Sequence, residues 1–98
     1  MVSIAQRLEQ YTLKRPGEVL LVNAEIDGEP DQIAIFKGFS SSLVRSTAFD
    51  PDVPVLPESA KILTIDRLEA PFNPADPRYI QQAIDWDAMQ MLLAAVGV

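Results

Sequence analysis

The stretch EVLLVNAEIDGEPDQIAIFKGF, residues 18–39, decides the fold class. Within residues 18–26 branched apolar side chains recur at every second position, which is the period of a β-strand. Asp27-Gly28 is typical of a tight hairpin turn, and residues 31–39 repeat the alternation. The stretch therefore predicts an antiparallel hairpin of strands 18–26 and 31–39. Three of its residues are expected in the core: Val22, Ile33 and Ile35.

The sequence after this hairpin predicts more strand. Gly38 inside the second strand indicates a bulge or a sharp bend. Residues 43–48 form a weaker third strand, and residues 60–68 (AKILTIDRL) form a fourth. Between them three prolines exclude a helix and fit an irregular, pinned loop. These prolines are Pro51, Pro54 and Pro57.

The N-terminal residues predict a helix over about residues 3–14. Ser3 and Gln6 have the spacing of a capping box. Apolar residues then recur at helical spacing up to Pro16-Gly17, where the helix should end. The apolar stripe consists of Ile4, Leu8 and Tyr11.

The C-terminal quarter predicts one or two further helices. Asp76-Pro77 has the pattern of an N-cap followed by proline in the first turn, so a short helix is expected over residues 77–83. Asp85 is a second N-cap, and Gly97 suits the end of the helix that follows. Trp86, Met89 and Leu93 should pack in the core, whereas Met91 and Leu92 add apolar area that suits either the core or a partner.

These elements predict a single α+β domain over residues 1–98. Its expected centre is a small, bent antiparallel sheet of about four strands, flanked by an N-terminal helix and one or two C-terminal helices. The same order of elements also describes a small SH3-like or Sm-like barrel, which stays open as an alternative.

The composition excludes several classes of chemistry. Among 98 residues there is no cysteine and no histidine, so thiol redox chemistry, Cys/His zinc sites and imidazole-based triads are excluded. The net charge of −6 disfavours nucleic acid, whose binding depends on Lys and Arg contacts. The sequence shows neither a secretory signal nor a membrane-spanning stretch, so a soluble, cytoplasmic protein is expected.

Two polar clusters are candidates for chemistry. The run GFSSS, residues 38–42, resembles a nucleophile elbow but lacks the second glycine and any histidine base. We interpret it as a bend whose hydroxyls cap backbone groups. Asp50, Asp52 and Glu58 could hold a metal or act as an acid–base pair, but they lack the ligand set of a calcium loop, so we interpret them as a solvated acidic loop. No catalytic residue, metal ligand or cofactor is predicted.

Asp66-Arg67, within the predicted fourth strand, forms a third candidate. Neighbouring side chains of a strand point to opposite faces, so the two do not pair with each other. One of them is expected on or beside the core, as a structural partner or as part of an interface.

The proline-rich segment 49–57 is the predicted surface for a partner protein. Apolar side chains and two acids together have the composition of an interface with a charged rim. The alternative is that the apolar residues cap the open end of the sheet. The predicted contact residues are Phe49, Asp50, Asp52, Val53, Val55 and Leu56.

Residues 18–43, 47–74 and 79–93 resemble a small family of uncharacterised proteins from cyanobacteria, which has relatives targeted to plant chloroplasts. The most specific stretches are IFKGFSSSL and FDPDVPVLP. The resemblance implies an oxygenic phototroph and a role in building or maintaining thylakoid machinery. It implies no catalytic residues.

The sequence favours a non-enzymatic domain that binds another protein, with the oligomeric state left open. One alternative is a nucleic-acid binder on a small barrel, although the acidic charge and the lack of interleaved aromatic and basic residues disfavour it. Another is an enzyme that uses carboxylates alone.

Overall fold

The computed structural model describes residues 4–43, 60–73 and 75–98, whose backbone forms two helices and five strands. In chain order they are α1 (Ile4–Lys14), β1 (Glu18–Ile26), β2 (Glu29–Phe36), β3 (Phe39–Ser42), β4 (Lys61–Glu69), β5 (Tyr79–Ile84) and α2 (Trp86–Ala95).

The five strands form one antiparallel sheet in the order β3-β2-β1-β4-β5. β1 lies at the centre, between β2 and β4, while β3 and β5 lie at opposite edges. Within the described ranges the sheet is therefore open and does not close into the SH3-like or Sm-like barrel. The α+β class is confirmed, with five strands where about four were expected.

The predicted hairpin is confirmed. Val22 pairs with Ile33 and Leu20 pairs with Ile35 across β1 and β2. The three residues expected in the core, Val22, Ile33 and Ile35, are fully buried.

The bend predicted at Gly38 is a second tight turn. Lys37 and Gly38 have φ of 49° and 83°, and Asp27 and Gly28 have φ of 54° and 81°. Two successive positive φ angles define the turn that suits the twist of paired strands. Because Lys37-Gly38 reverses the chain, β2 ends at Phe36, and residues 39–42 form a further strand, β3, that was not predicted as a separate element. The strand predicted over residues 43–48 stays a prediction. Residues 44–48 lie outside the described part of the chain.

The helix predicted over residues 77–83 is wrong, because this segment is strand β5. Pairing with the free edge of β4 outweighs the helix-start signal of Asp76-Pro77, since it satisfies the backbone of both strands. The pairing contains two irregularities. At one of them Ala83 has φ +54°, and its N–H donates to the Asp66 carboxylate at 2.8 Å.

Both predicted terminal helices are confirmed, and they pack on the same face of the sheet. Leu8 and Tyr11 of α1 and Met89 and Leu93 of α2 are buried in one apolar cluster with that face. Asp85 caps α2 by accepting from the Ala88 N–H at 2.8 Å. Around this core lie partly buried side chains that include Ile4, Trp86 and Leu92, whereas Met91 is exposed.

Candidate protein-binding surface

The residues predicted as the partner surface lie outside the described residues, so their prediction stands untested. They are Phe49, Asp50, Asp52, Val53, Val55 and Leu56, and Glu58 lies in the same range. The described residues present a different candidate: the sheet face opposite α1 and α2. We call it the helix-free face, because within the described ranges both helices pack on the other side.

An apolar row crosses the helix-free face. Directly opposed residues of paired strands project to the same side, and the pairs Phe36–Phe39, Val19–Leu68 and Leu68–Tyr79 share this face. The centre of the row is buried in a cluster with Leu21, and half-buried Phe72 packs against it. The two ends are open, because Phe39 is 77% and Tyr79 is 44% exposed.

A ladder of uncharged polar side chains runs parallel to the apolar row. Gln32 donates from Nε2 to Oδ1 of Asn23 at 3.1 Å, and Asn23 donates from Nδ2 to Oγ1 of Thr64 at 3.0 Å. The ladder thus ties β2, β1 and β4 together on this face. Beside it, an open depression of about 310 Å³ extends over Asn23, Gln32 and Leu63.

The serine run lies on edge strand β3 and differs in detail from the prediction. Ser40 donates to the Glu9 carboxylate at 2.8 Å, and Ser42 donates to the Asp31 carboxylate at 2.9 Å. These hydroxyls therefore bind side-chain carboxylates, where backbone groups were expected. The hydroxyl that binds the bend is that of Thr12, which accepts from the Gly38 N–H at 2.9 Å.

The Asp66-Arg67 pair divides between the two faces, as predicted. Arg67 lies at the margin of the helix-covered core, where its Nε donates to Glu18 at 2.8 Å. Tyr11 donates to the same Glu18 oxygen at 2.9 Å, and Arg67 also donates to Gln81 at 3.1 Å. We call Tyr11, Glu18, Arg67 and Gln81 the polar cluster. Glu18 of β1 joins α1 to β4, and Arg67 joins β4 to β5.

The polar cluster shifts the protonation of two of its members. Burial, reinforced by the hydrogen bond to Glu18, raises the pKa of Tyr11. The hydrogen bond to Glu18 raises the pKa of Arg67. Tyr11 thus keeps its proton and Arg67 its charge at neutral pH, so both donate to one carboxylate. Of the two roles expected for the charged residue beside the core, structural partner or part of an interface, this arrangement fits that of a structural partner for Arg67.

The raised pKa of Tyr11 makes the free energy of unfolding fall at alkaline pH. The unfolded tyrosine loses its proton near 10.0, whereas the folded one holds it to higher pH. Above about pH 10 the unfolded state therefore binds fewer protons, and stability falls by at most about 1.4 kcal/mol per pH unit. Urea unfolding of the wild type and of Tyr11→Phe, from neutral to alkaline pH, measures this fall in the free energy of unfolding. When the free energies of the two proteins are plotted against pH, the two curves should converge as the pH rises above 10. Curves that stay parallel would contradict the expectation.

Residues 4–43, 60–73 and 75–98 contain no group of three or more Asp or Glu placed to hold a metal ion. In the same ranges neither helix has the length and apolar character needed to cross a membrane.

The fold and the helix-free face define a two-layer α+β domain that covers one side of its sheet with helices. The family described as "Domain of unknown function (DUF7734)" matches residues 5–93, so the chain belongs to this family. No curated protein and no solved structure matches the chain.

Sequence reasoning missed the helix-free face as a surface. The available signal was that β1 and β2 alternate apolar residues on both faces, with Val19, Leu21 and Phe36 opposite the main core. Assigning Tyr79 to this face required knowing that residues 79–84 form a strand.

Proposed function

We propose that this domain binds another protein through its helix-free face and has no catalytic role of its own. The observation that carries the proposal is the apolar row, with a buried centre and exposed aromatic ends at Phe39 and Tyr79. Aromatic side chains at the margin of a packed apolar centre are enriched in interfaces and contribute much of their energy.

The charge of this face also supports protein binding. The apolar row and the Gln32–Asn23–Thr64 ladder are themselves uncharged, whereas the whole chain has a net charge of −6. Two charged side chains reach this face: Asp66, which accepts from the Ala83 N–H at 2.8 Å, and Lys37, whose ammonium lies over the Phe36 ring at 5.2 Å. Interface centres are depleted of charge, because desolvating a charge is costly. A phosphate backbone would instead need several Lys and Arg side chains on this surface.

The resemblance to proteins of cyanobacteria and chloroplasts extends the proposal to the partner. We expect it to be a subunit of the photosynthetic machinery of the thylakoid, with this domain as an accessory or assembly factor. The domain would then act in the cytoplasm, or on the stromal side of a plastid membrane.

Affinity capture with a matched pair of variants tests the proposal. The immobilised domain is incubated with an extract of its source organism, and captured proteins are quantified by mass spectrometry. Tyr79→Ser removes an exposed aromatic of the helix-free face. Loss of an interface tyrosine costs about 2 kcal/mol or more, so recovery of the true partner should fall at least about tenfold.

Met91→Ser is the control, because Met91 is exposed on α2 on the other side of the sheet. It removes a comparable apolar side chain and should leave capture unchanged. Thermal melting of both variants checks that the fold is intact. Equal capture by Tyr79→Ser and wild type, or equal loss with Met91→Ser, would mean that the helix-free face is not the binding surface.

A further inference from the structure

One end of the domain brings the last turn of α1 together with the turn between β2 and β3. The Gly38 N–H donates to Oγ1 of Thr12 at 2.9 Å. The Leu13 side chain lies against the same turn, because a Cβ added to Gly38 would lie 3.1 Å from its Cδ2 atom. We call the exposed residues beside these contacts the basic tip, which consists of Leu13, Lys14, Arg15, Lys37 and Phe39.

The two apolar members of the basic tip are among the most exposed large apolar side chains of the described residues. Phe39 is 77% exposed and Leu13 is 60% exposed. Each lies beside a chain reversal: Leu13 before the turn from α1 into β1, and Phe39 directly after Lys37-Gly38. A surface placed across this end of the strands can therefore contact both side chains at once.

The three cations of the basic tip are not held in ion pairs. Within the described ranges neither Lys14 nor Arg15 forms an ion pair or a side-chain hydrogen bond. The Lys37 ammonium lies 5.2 Å from the centre of the Phe36 ring, and such a cation–π contact leaves its charge in place. All three charges are thus available to an external anion.

The nearest described acids do not cancel these charges. Glu9 lies one turn before Leu13 and accepts from Ser40 at 2.8 Å. Glu69 ends β4, which lies two strand spacings, about 10 Å, from β2. Three cations therefore face two acids, one of which is beyond the Debye length of about 8 Å at physiological ionic strength.

A further group of acids lies at the far end of the β1–β2 hairpin. The nine residues of β1 place that end about 26 Å from the basic tip, which is about three Debye lengths. The net charge of −6 therefore leaves the local field of the basic tip positive. The exposed acids at this far end are Glu25, Asp27 and Glu29.

We propose that the basic tip binds the surface of a lipid bilayer that carries anionic headgroups. Leu13 and Phe39 enter the interfacial region, while Lys14, Arg15 and Lys37 face the phosphates. A bilayer accepts projecting apolar side chains without a preformed pocket, which an acidic peptide does not provide. The acidic far end of a second copy could pair with the cations, but it would leave the two apolar side chains in water.

The expected binding is reversible and depends on salt. Each basic residue near an anionic surface strengthens binding about fivefold, and two short apolar side chains contribute less than an acyl chain. We expect the domain to bind vesicles of phosphatidylcholine and phosphatidylglycerol in equal parts at low salt. It should leave them at about 0.5 M salt, where the Debye length is about 4 Å, and bind pure phosphatidylcholine vesicles at least about tenfold more weakly.

Co-sedimentation with these vesicles tests the proposal with matched variants. Lys37→Glu and Arg15→Glu each reverse one charge of the basic tip and should lower the partition coefficient by at least about tenfold. Lys61→Glu changes the net charge equally at the far end, opposite Glu25, and should leave it within about twofold. Phe39→Ser should lower it about fivefold. Thermal melting checks that each variant is folded.

Three outcomes would overturn the proposal. The first is equal binding to vesicles with and without phosphatidylglycerol, or binding to neither; the second is an equal loss with Lys37→Glu and Lys61→Glu. The third is binding to polyglutamate, or self-association lost in Lys37→Glu, without binding to vesicles, which would assign the basic tip to an acidic protein segment. The vesicles contain no protein, so these results are independent of the proposed function, which Tyr79→Ser tests.

Discussion

Replacing Arg67 with methionine is expected to lower the free energy of unfolding by about 3 kcal/mol, the low end for breaking a buried ion pair. The side chains of Arg67 and Glu18 are 18% and 13% exposed, and their atoms are 2.8 Å apart. Methionine preserves most of the apolar stem but leaves the Glu18 carboxylate without its cation. Gln81 also loses the donor of its 3.1 Å hydrogen bond. Urea denaturation at neutral pH measures the change.

Two further variants separate the ion pair from the loss of an arginine. Arg78→Met breaks an exposed pair with Asp76 at 3.9 Å and should cost less than about 0.5 kcal/mol. Adding Glu18→Gln to Arg67→Met removes the uncompensated charge and should restore about half of the lost stability. Equal losses for Arg67→Met and Arg78→Met would show that the polar cluster contributes nothing beyond a surface pair.

Replacing Gly38 with alanine is expected to destabilise the domain by about 2 kcal/mol. Gly38 has φ +83°, a conformation that costs an L-residue about 1–2 kcal/mol. An added Cβ would also lie 3.1 Å from Cδ2 of Leu13 on α1, so either the Leu13 side chain or the turn must shift by a few tenths of an ångström. A shift of the turn strains the hydrogen bond from the Gly38 N–H to Thr12.

Gly28→Ala provides the matched control for this variant. Gly28 has nearly the same φ, +81°, but a Cβ added there would meet no atom within 4 Å beyond its chain neighbours. The free energy of unfolding of Gly28→Ala should fall by about 1 kcal/mol, because only the backbone conformation is strained. The difference between the two variants, measured by thermal or urea unfolding, reports the contact between α1 and the β2–β3 turn. Identical losses would mean that Leu13 moves aside at no cost.

The parts of the fold that could be predicted are those where local signals and tertiary packing agree. The alternation in residues 18–26 and the Asp27-Gly28 turn specify β1 and β2 without reference to the rest of the chain. Asp85 begins α2 by a local hydrogen bond to the Ala88 N–H, which is why the capping pattern located it. Gly38 correctly indicated a bend, although the strand boundary moved because Lys37 also takes a positive φ.

β5 could not be predicted because its cause is distant in the sequence. Residues 79–84 become a strand by pairing with β4, and the Asp66 carboxylate supports the backbone at Ala83. The helix-start pattern at Asp76-Pro77 is a local preference that such pairing outweighs. The helix-free face depends on the same pairing, since Tyr79 joins the apolar row through its position opposite Leu68. The predicted surface at residues 49–57 stays a prediction.

The position of β1 at the centre of the sheet has a consequence for the order of folding. Its pairing with β2 closes a loop of two residues, whereas its pairing with β4 brings together residues separated by the segment from 27 to 60. Closing a longer loop costs more chain entropy before any contact compensates it. The β1–β2–β3 meander can therefore form from neighbouring residues, and β4 and β5 add to it by non-local contacts. Substitutions that weaken the contacts of β4 or β5 would then act mainly on the rate of unfolding.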